Sequence, residues 1–161
     1  MKMKKTTFIT QGAVIAAIYV VLVFVFDYWS FGPIQFRVAE ALTILPVFTP
    51  AAVPGLFIGC LIANITGGAV IWDIVFGSLA TLIGACGTYA LRKHKWLAPL
   101  PPIVANTIIV PFVLAYVYMA EGTIPFFMLT VGIGEVISCY VLGMILYKVL
   151  NNYRSVIFKN E

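Results

Sequence analysis

The chain reads as a succession of long apolar runs separated by short polar or proline-rich breaks. The runs at 9–26 and 124–150 are unbroken. Each is long enough to cross about 30 Å of hydrocarbon as a helix rising about 1.5 Å per residue. Further apolar runs cover 38–66, 70–91 and 97–119. One segment departs from the pattern: residues 37–55, RVAEALTILPVFTPAAVPG, carry Arg37, Glu40 and three prolines where a membrane helix normally carries none. Charge at membrane depth is costly and usually faces a protein interior or an aqueous cavity. Proline within a span frees backbone groups that neighbouring protein or water must satisfy. The segment therefore predicts both a break in the helix and a polar interior.

Composition sharpens this picture. Of 161 residues, 62% are hydrophobic and only 10% charged, with a mean hydropathy of +1.05. A soluble domain carries about a quarter charged residues, so an all-α integral membrane protein is expected, with residues 1–161 as one transmembrane domain. The first run follows Lys2, Lys4 and Lys5 but ends in Phe26-Asp27-Tyr28-Trp29, which is no small-residue cleavage site; it reads as a retained helix. The net charge of +4 is no nucleic-acid signal. Its basic residues cluster at Lys2/Lys4/Lys5, Arg92/Lys93/Lys95 and Lys148/Arg154/Lys159, as cytoplasmic flanks do. Cys60, Cys86 and Cys139 form no CxxC pair and read as small buried hydrophobes. His94, in the basic loop, has no ligand-like neighbours, and no metal or cofactor is expected.

Charge parity sets the span count. If all three basic clusters are cytoplasmic, an even number of spans separates each pair. The stretches 97–119 and 124–150 satisfy this beyond residue 95. Before residue 92 a naive reading gives three spans. Splitting the long middle run at its prolines, near 47–50, makes four, because proline removes a helical donor and the residue before it avoids the α region. Thr49-Pro50 also resembles an N-cap with proline at the first helical position. Six helices result, roughly 8–26, 37–47, 50–66, 71–91, 97–119 and 124–150, with both termini cytoplasmic in a multi-pass protein.

The polar residues then lie mostly in the outer half, which suggests a cavity opening outward. Glu135 is the sharpest: it sits deep in a span, beside Gly132 and Gly134, and is either a ligand or proton site or the partner of another side chain. Arg37 and Glu40, three apart on one helix, either pair with each other or face a ligand. Asp73 either caps the start of its helix or binds. Asn64 and Asn106 either bond between helices or contact a ligand. Two small-residue series stand out: Ala13 and Ala17, with Gly12 and Ala16 beside them, and Gly55, Gly59 and Ala63. Such stripes let helices approach closely, within the bundle or against a partner. The chain has no P-loop and no Ser/His, paired-His or metal-ligand spacing, so an intramembrane enzyme is not expected.

The Ala13/Ala17 stripe in a six-helix protein of this size resembles the substrate-binding S-components of energy-coupling factor transporters. RVAEALTILPVFTPAAVPGLFIGCLIAN (37–64), WDIVFGSLATLIGA (72–85), WLAPLPPIVANTIIV (96–110) and VGIGEVISCYVLG (131–143) resemble the queuosine precursor transporter family, QueT, within that group. The resemblance implies a six-transmembrane-helix S-component bundle in a bacterial plasma membrane. It implies capture of a 7-deazaguanine (7-aminomethyl-7-deazaguanine, 7-cyano-7-deazaguanine or queuine) from outside, for ATP-driven uptake. The partners would be a transmembrane coupling subunit, docked on Ala13 and Ala17, and two cytoplasmic ATPases that hydrolyse the ATP. Chemistry fits: adjacent N–H donors of a guanine-like edge suit a carboxylate, Glu135 or Glu40. An amide, Asn64 or Asn106, suits its carbonyl. Asp73 suits a cationic aminomethyl group, and Trp72 or Phe36 could stack on the ring. Arg37 completes the candidate set. The alternatives are an importer of another vitamin or purine and, against the outward polar residues, a purely structural membrane subunit.

Overall fold

The computed structural model describes residues 4–26 and 37–158. Among them every regular element is a helix. Helix 1 is Lys5–Val25, helix 2 Val38–Val47, helix 3 Ala52–Thr66, helix 4 Ile71–Ala90 and helix 5 Leu100–Tyr116. Helix 6 runs over Ile124–Asn152, and a single turn, Arg154–Ile157, follows. Helices 1, 4 and 6 are long and apolar enough to cross a membrane. Helices 2, 3 and 5 are shorter apolar helices. The outward faces carry exposed Val, Ile, Leu and Phe on every long helix, an arrangement that lipid tolerates and water does not. The protein is thus a helical, multi-pass membrane protein.

The proline break falls where the sequence placed it, between helices 2 and 3, but its details differ. Helix 3 starts two residues later than Thr49-Pro50 suggested: Thr49 Oγ1 accepts the Ala51 N–H at 3.2 Å, and Pro50 lies in the turn. Pro54 is accommodated because it falls in the first helical turn, whose N–H groups have no intrahelical partner. Helix 5 is shorter than the expected 97–119. Pro99, Pro101 and Pro102 crowd its start, and Val117 and Tyr118 close its other end on the Val113 carbonyl.

Helix 2 is the central element, enclosed by helices 1, 3, 4 and 6. It is wound as a 3₁₀ helix over ten residues, of which the eight from Ala39 to Pro46 are buried. Runs longer than three or four residues are uncommon for this winding. At about 2.0 Å per residue it spans about 20 Å, some 5 Å more than an α-helix of equal length. Helix 6 has the opposite irregularity. Val136–Leu142 are π-helical, starting directly after Glu135. Around helix 2 the apolar core gathers Ile15, Tyr19, Leu42, Leu45, Leu56 and Cys60.

Helices 1 and 3 meet through their small residues. A Cβ at Gly55 would lie 2.7 Å from the Gly12 carbonyl oxygen, and one at Gly59 would lie 2.8 Å from Tyr19 Cβ and 3.0 Å from the Ala16 oxygen. The helix 3 stripe therefore packs inside the bundle, against Gly12 and Ala16. Ala13 and Ala17 lie on the other side of helix 1 and are exposed.

Candidate functional site in the bundle interior

Two carboxylates meet in the middle of the bundle. Glu40 comes from helix 2 and is fully buried; Glu135 ends the α-helical part of helix 6 and is 4% exposed. Their oxygens and Cys139 Sγ all lie within 4.8 Å of one another. The Tyr19 hydroxyl donates to Glu40 Oε1 at 2.6 Å. Thr81 from helix 4 is within 3.5 Å of the same oxygen, although its nearest acceptor is the Gly77 carbonyl at 3.2 Å. The Cys139 thiol donates to Glu135 Oε2 at 3.1 Å. Thr43, one 3₁₀ turn beyond Glu40, donates to the Glu40 carbonyl at 2.6 Å. Asn106 of helix 5 interacts with both carboxylates. Glu40 Oε2, however, has no hydrogen-bond partner among the described residues, and neither has the nearby buried hydroxyl of Ser138. A buried polar atom without a partner is expensive. Here that atom is an acceptor aimed into a site rich in further polar groups.

A second polar group lies between the ends of helices 3, 4 and 5. Tyr118 donates its hydroxyl to Asp73 Oδ2 at 2.8 Å and accepts the Val70 N–H at 3.4 Å. Burial and the hydrogen bond to Asp73 push the Tyr118 phenol above its ordinary value, so it remains a donor to the carboxylate. Gly77 allows a close approach there: a Cβ on it would stand 3.3 Å from both Asn64 Nδ2 and Asp73 Oδ1, tighter than ordinary contact. Asn64 and Asp73 thus converge over a glycine. Arg37, just before helix 2, is close enough for its charge to act on Tyr19, Asp73 and Glu40.

Of the residues singled out from sequence, Glu40, Glu135 and Asn106 are brought together in the first group and Asn64 and Asp73 in the second, while the charge of Arg37 acts on Glu40 and on Asp73. Trp72 is not brought in. It is 56% exposed and stacks on Phe76, with ring centroids 6.1 Å apart, because it neighbours Asp73 on the helix and so points about 100° away from it. Phe36 lies outside the described residues. The shortest side-chain hydrogen bond to the Glu40 carboxylate comes from Tyr19. Cys60 and Cys139 are buried as expected, whereas Cys86 is exposed; the two buried thiols take part in polar contacts, with Asn64, Thr81, Thr43 and Glu135.

Sequence reasoning missed Tyr19, Thr81 and Cys139. Tyr19 had a signal: it continues the Gly12–Ala16 face of helix 1 at the next helical step, so it points where helices 1 and 3 approach closely.

Among known proteins, the model of the QueT transporter family matches residues 9–152. The protein described as queuosine precursor transporter QueT, from Lactococcus lactis subsp. cremoris (strain MG1363), is 38% identical over 85 residues, which are 52% of this chain and 50% of that relative. The match thus spans about half of the relative's length. No solved structure matches the chain. Helical throughout its described part, with polar groups drawn into an apolar bundle and a family match running from the first helix to the end of the sixth, the chain belongs to the QueT transporter family.

Proposed function

We propose that this chain is the substrate-binding subunit of an energy-coupling factor importer that captures a queuosine precursor, a 7-deazaguanine, from outside the cell. The observation that carries the reading is the unpartnered Glu40 Oε2 beside Glu135 and Asn106, buried inside a chain of this family. A guanine-like edge presents adjacent N–H donors, and a carboxylate accepts both at once; such charge-assisted pairs are the strong class of hydrogen bond. In this reading Glu135 and Glu40 clamp that edge, and Asn106 donates to the neighbouring carbonyl. Asp73 and Asn64, converging over Gly77, suit a cationic aminomethyl substituent. The binding energy comes from replacing absent partners in a dry interior, which favours ligands that supply every donor.

In this reading all six helices span the membrane, both termini are cytoplasmic, and Asp73, Asn64 and Tyr118 mark the outer entrance. Helices 3 and 5 reach only about 22–26 Å, so the bilayer thins beside them; helix 2 is enclosed by its neighbours. The chain performs no catalysis; ATP is hydrolysed by two cytoplasmic partner subunits. Ala13 and Ala17 are free for a coupling subunit, since Gly12 and Ala16 serve the internal packing instead.

Mass spectrometry of small molecules retained by the purified protein, followed by titration, tests this. Retention of a 7-deazaguanine is expected. Another purine or a vitamin would replace the substrate but keep the subunit role. Absence of any ligand, with no binding in titration, would overturn the reading. Co-purification with ATPases tests the partners separately.

A further inference from the structure

A groove of about 490 Å³ opens at the opposite end of the bundle from Asp73, between the loop joining helices 4 and 5 and the last turns of helix 6. Its polar rim is Lys95, Lys148, Asn151 and Asn152; its remaining wall includes Trp96, Met144 and Ile145. It adjoins a second cavity, of about 410 Å³, which shares Lys95, Trp96 and Tyr147 and adds Arg92, Lys93 and His94. None of the residues lining either cavity is acidic. No carboxylate among these lining residues neutralises the cations. Lys95 stands over the Trp96 ring at 5.6 Å, and Tyr147 is held from behind by Phe48 at 5.2 Å. Aromatic rings with one wet edge are typical of the headgroup level.

The two halves of the groove point to different chemistries that one molecule combines. Lys95 and Lys148 in the groove, with Arg92 and Lys93 in the adjoining cavity, suit a phosphate. Ile145, 57% exposed, and Met144 begin a strip that continues along helix 6 through exposed Val141 and Ile137, and such a strip asks for an acyl chain. An acidic protein surface would satisfy the first half only. We propose that this groove binds an anionic phospholipid, its phosphate on Lys95 and Lys148 and its chain along Met144 and Ile145. Basic pockets between membrane helices recognise anionic headgroups in this way. The site is separate from the carboxylate cluster and does not depend on the substrate proposed above.

Native mass spectrometry of the full chain in detergent, with added phosphatidylglycerol or phosphatidylcholine, tests the site. Retention of phosphatidylglycerol in preference to phosphatidylcholine is expected. The double variant Lys95→Gln/Lys148→Gln should weaken phosphatidylglycerol binding roughly thirtyfold and leave phosphatidylcholine unchanged. Equal retention of both lipids by the unaltered protein, or undiminished phosphatidylglycerol binding in the variant, overturns the proposal. Displacement of phosphatidylglycerol by equimolar inorganic phosphate would identify a free-anion site instead. Indifference to lipid combined with loss of an ATPase partner in the variant would identify a protein-docking surface.

Discussion

Gly59→Ala is the most telling perturbation of the interior, because one methyl group acts on both packing and the site. Its Cβ would meet Tyr19 Cβ at 2.8 Å, whereas ordinary contact begins near 3.4 Å. The difference, 3.4 − 2.8, is about 0.6 Å, and neither neighbour can absorb it alone: one is the stem of Tyr19, the other the Ala16 backbone. Helix 1 must move. If Tyr19 moves with it, its hydroxyl contact with Glu40 stretches from 2.6 Å to about 3.2 Å, past the usual O–H···O range. Overpacking of this kind costs about 1–3 kcal/mol. In a domain of this length each kcal/mol lowers the melting temperature by roughly 2–4 °C. Loss of much of a hydrogen bond to a charged group adds about 1 kcal/mol to the cost of holding Glu40 in place, or about fivefold in ligand affinity. Gly55→Ala is the control. It crowds Gly12 to 2.7 Å, about two turns from Tyr19 and without direct contact with it, so it should lower stability as much and affinity less. Thermal unfolding in detergent and ligand titration read the two effects. A Gly59→Ala protein as stable as its parent would refute the close approach of helices 1 and 3. Equal affinity losses in both variants would refute the role of Tyr19 in orienting Glu40.

Glu135→Gln exchanges an acceptor for a donor at the proposed clamp and should reduce deazaguanine binding at least a hundredfold; unchanged affinity would remove Glu135 from the site. Gly77→Ala places a methyl 3.3 Å from Asn64 and Asp73, so affinity for an aminomethyl-bearing ligand should fall about tenfold and that for a cyano-bearing one much less; parallel losses would argue against an Asp73 contact. Trp72→Ala should alter affinity by less than threefold, because the ring stacks on Phe76 at the surface, and a larger loss would bring it back into the site. Ala13→Trp should abolish co-purification with the ATPases while ligand titration of the isolated subunit stays normal; retained ATPases would exclude that face as the docking surface.

The sequence revealed most where physics penalises exceptions. Prolines at 46, 50 and 54 had to interrupt the long apolar run, and the break between helices 2 and 3 lies among them. Glu40, Glu135 and Asn106 stood out because polar groups inside apolar runs need partners, and they converge. The partners themselves were less visible. Thr81 and Cys139 are ordinary residues in a membrane helix, and only the meeting of helices 2, 4 and 6 gives them carboxylate neighbours. The windings were hidden too: a 3₁₀ helix and a π turn have the same composition as an α-helix, and tertiary packing selects between them. Trp72 misled because adjacency to Asp73 in sequence means separation around a helix.

The enclosure of helix 2 has a consequence for how the protein is made. Ten residues bearing a glutamate, reaching about 20 Å, cannot cover that carboxylate by themselves, so helix 2 depends on its neighbours for its enclosure. Helix 1 is already present, and its tyrosine can meet Glu40 at once. The walls from helices 4 and 6 do not yet exist, so Glu40 waits beside lipid or water for most of synthesis. Glu135 and Cys139 arrive last, on the final long helix. A ribosome stalled before residue 135 therefore leaves a bundle with an open side and half a site, the form on which membrane quality control would act.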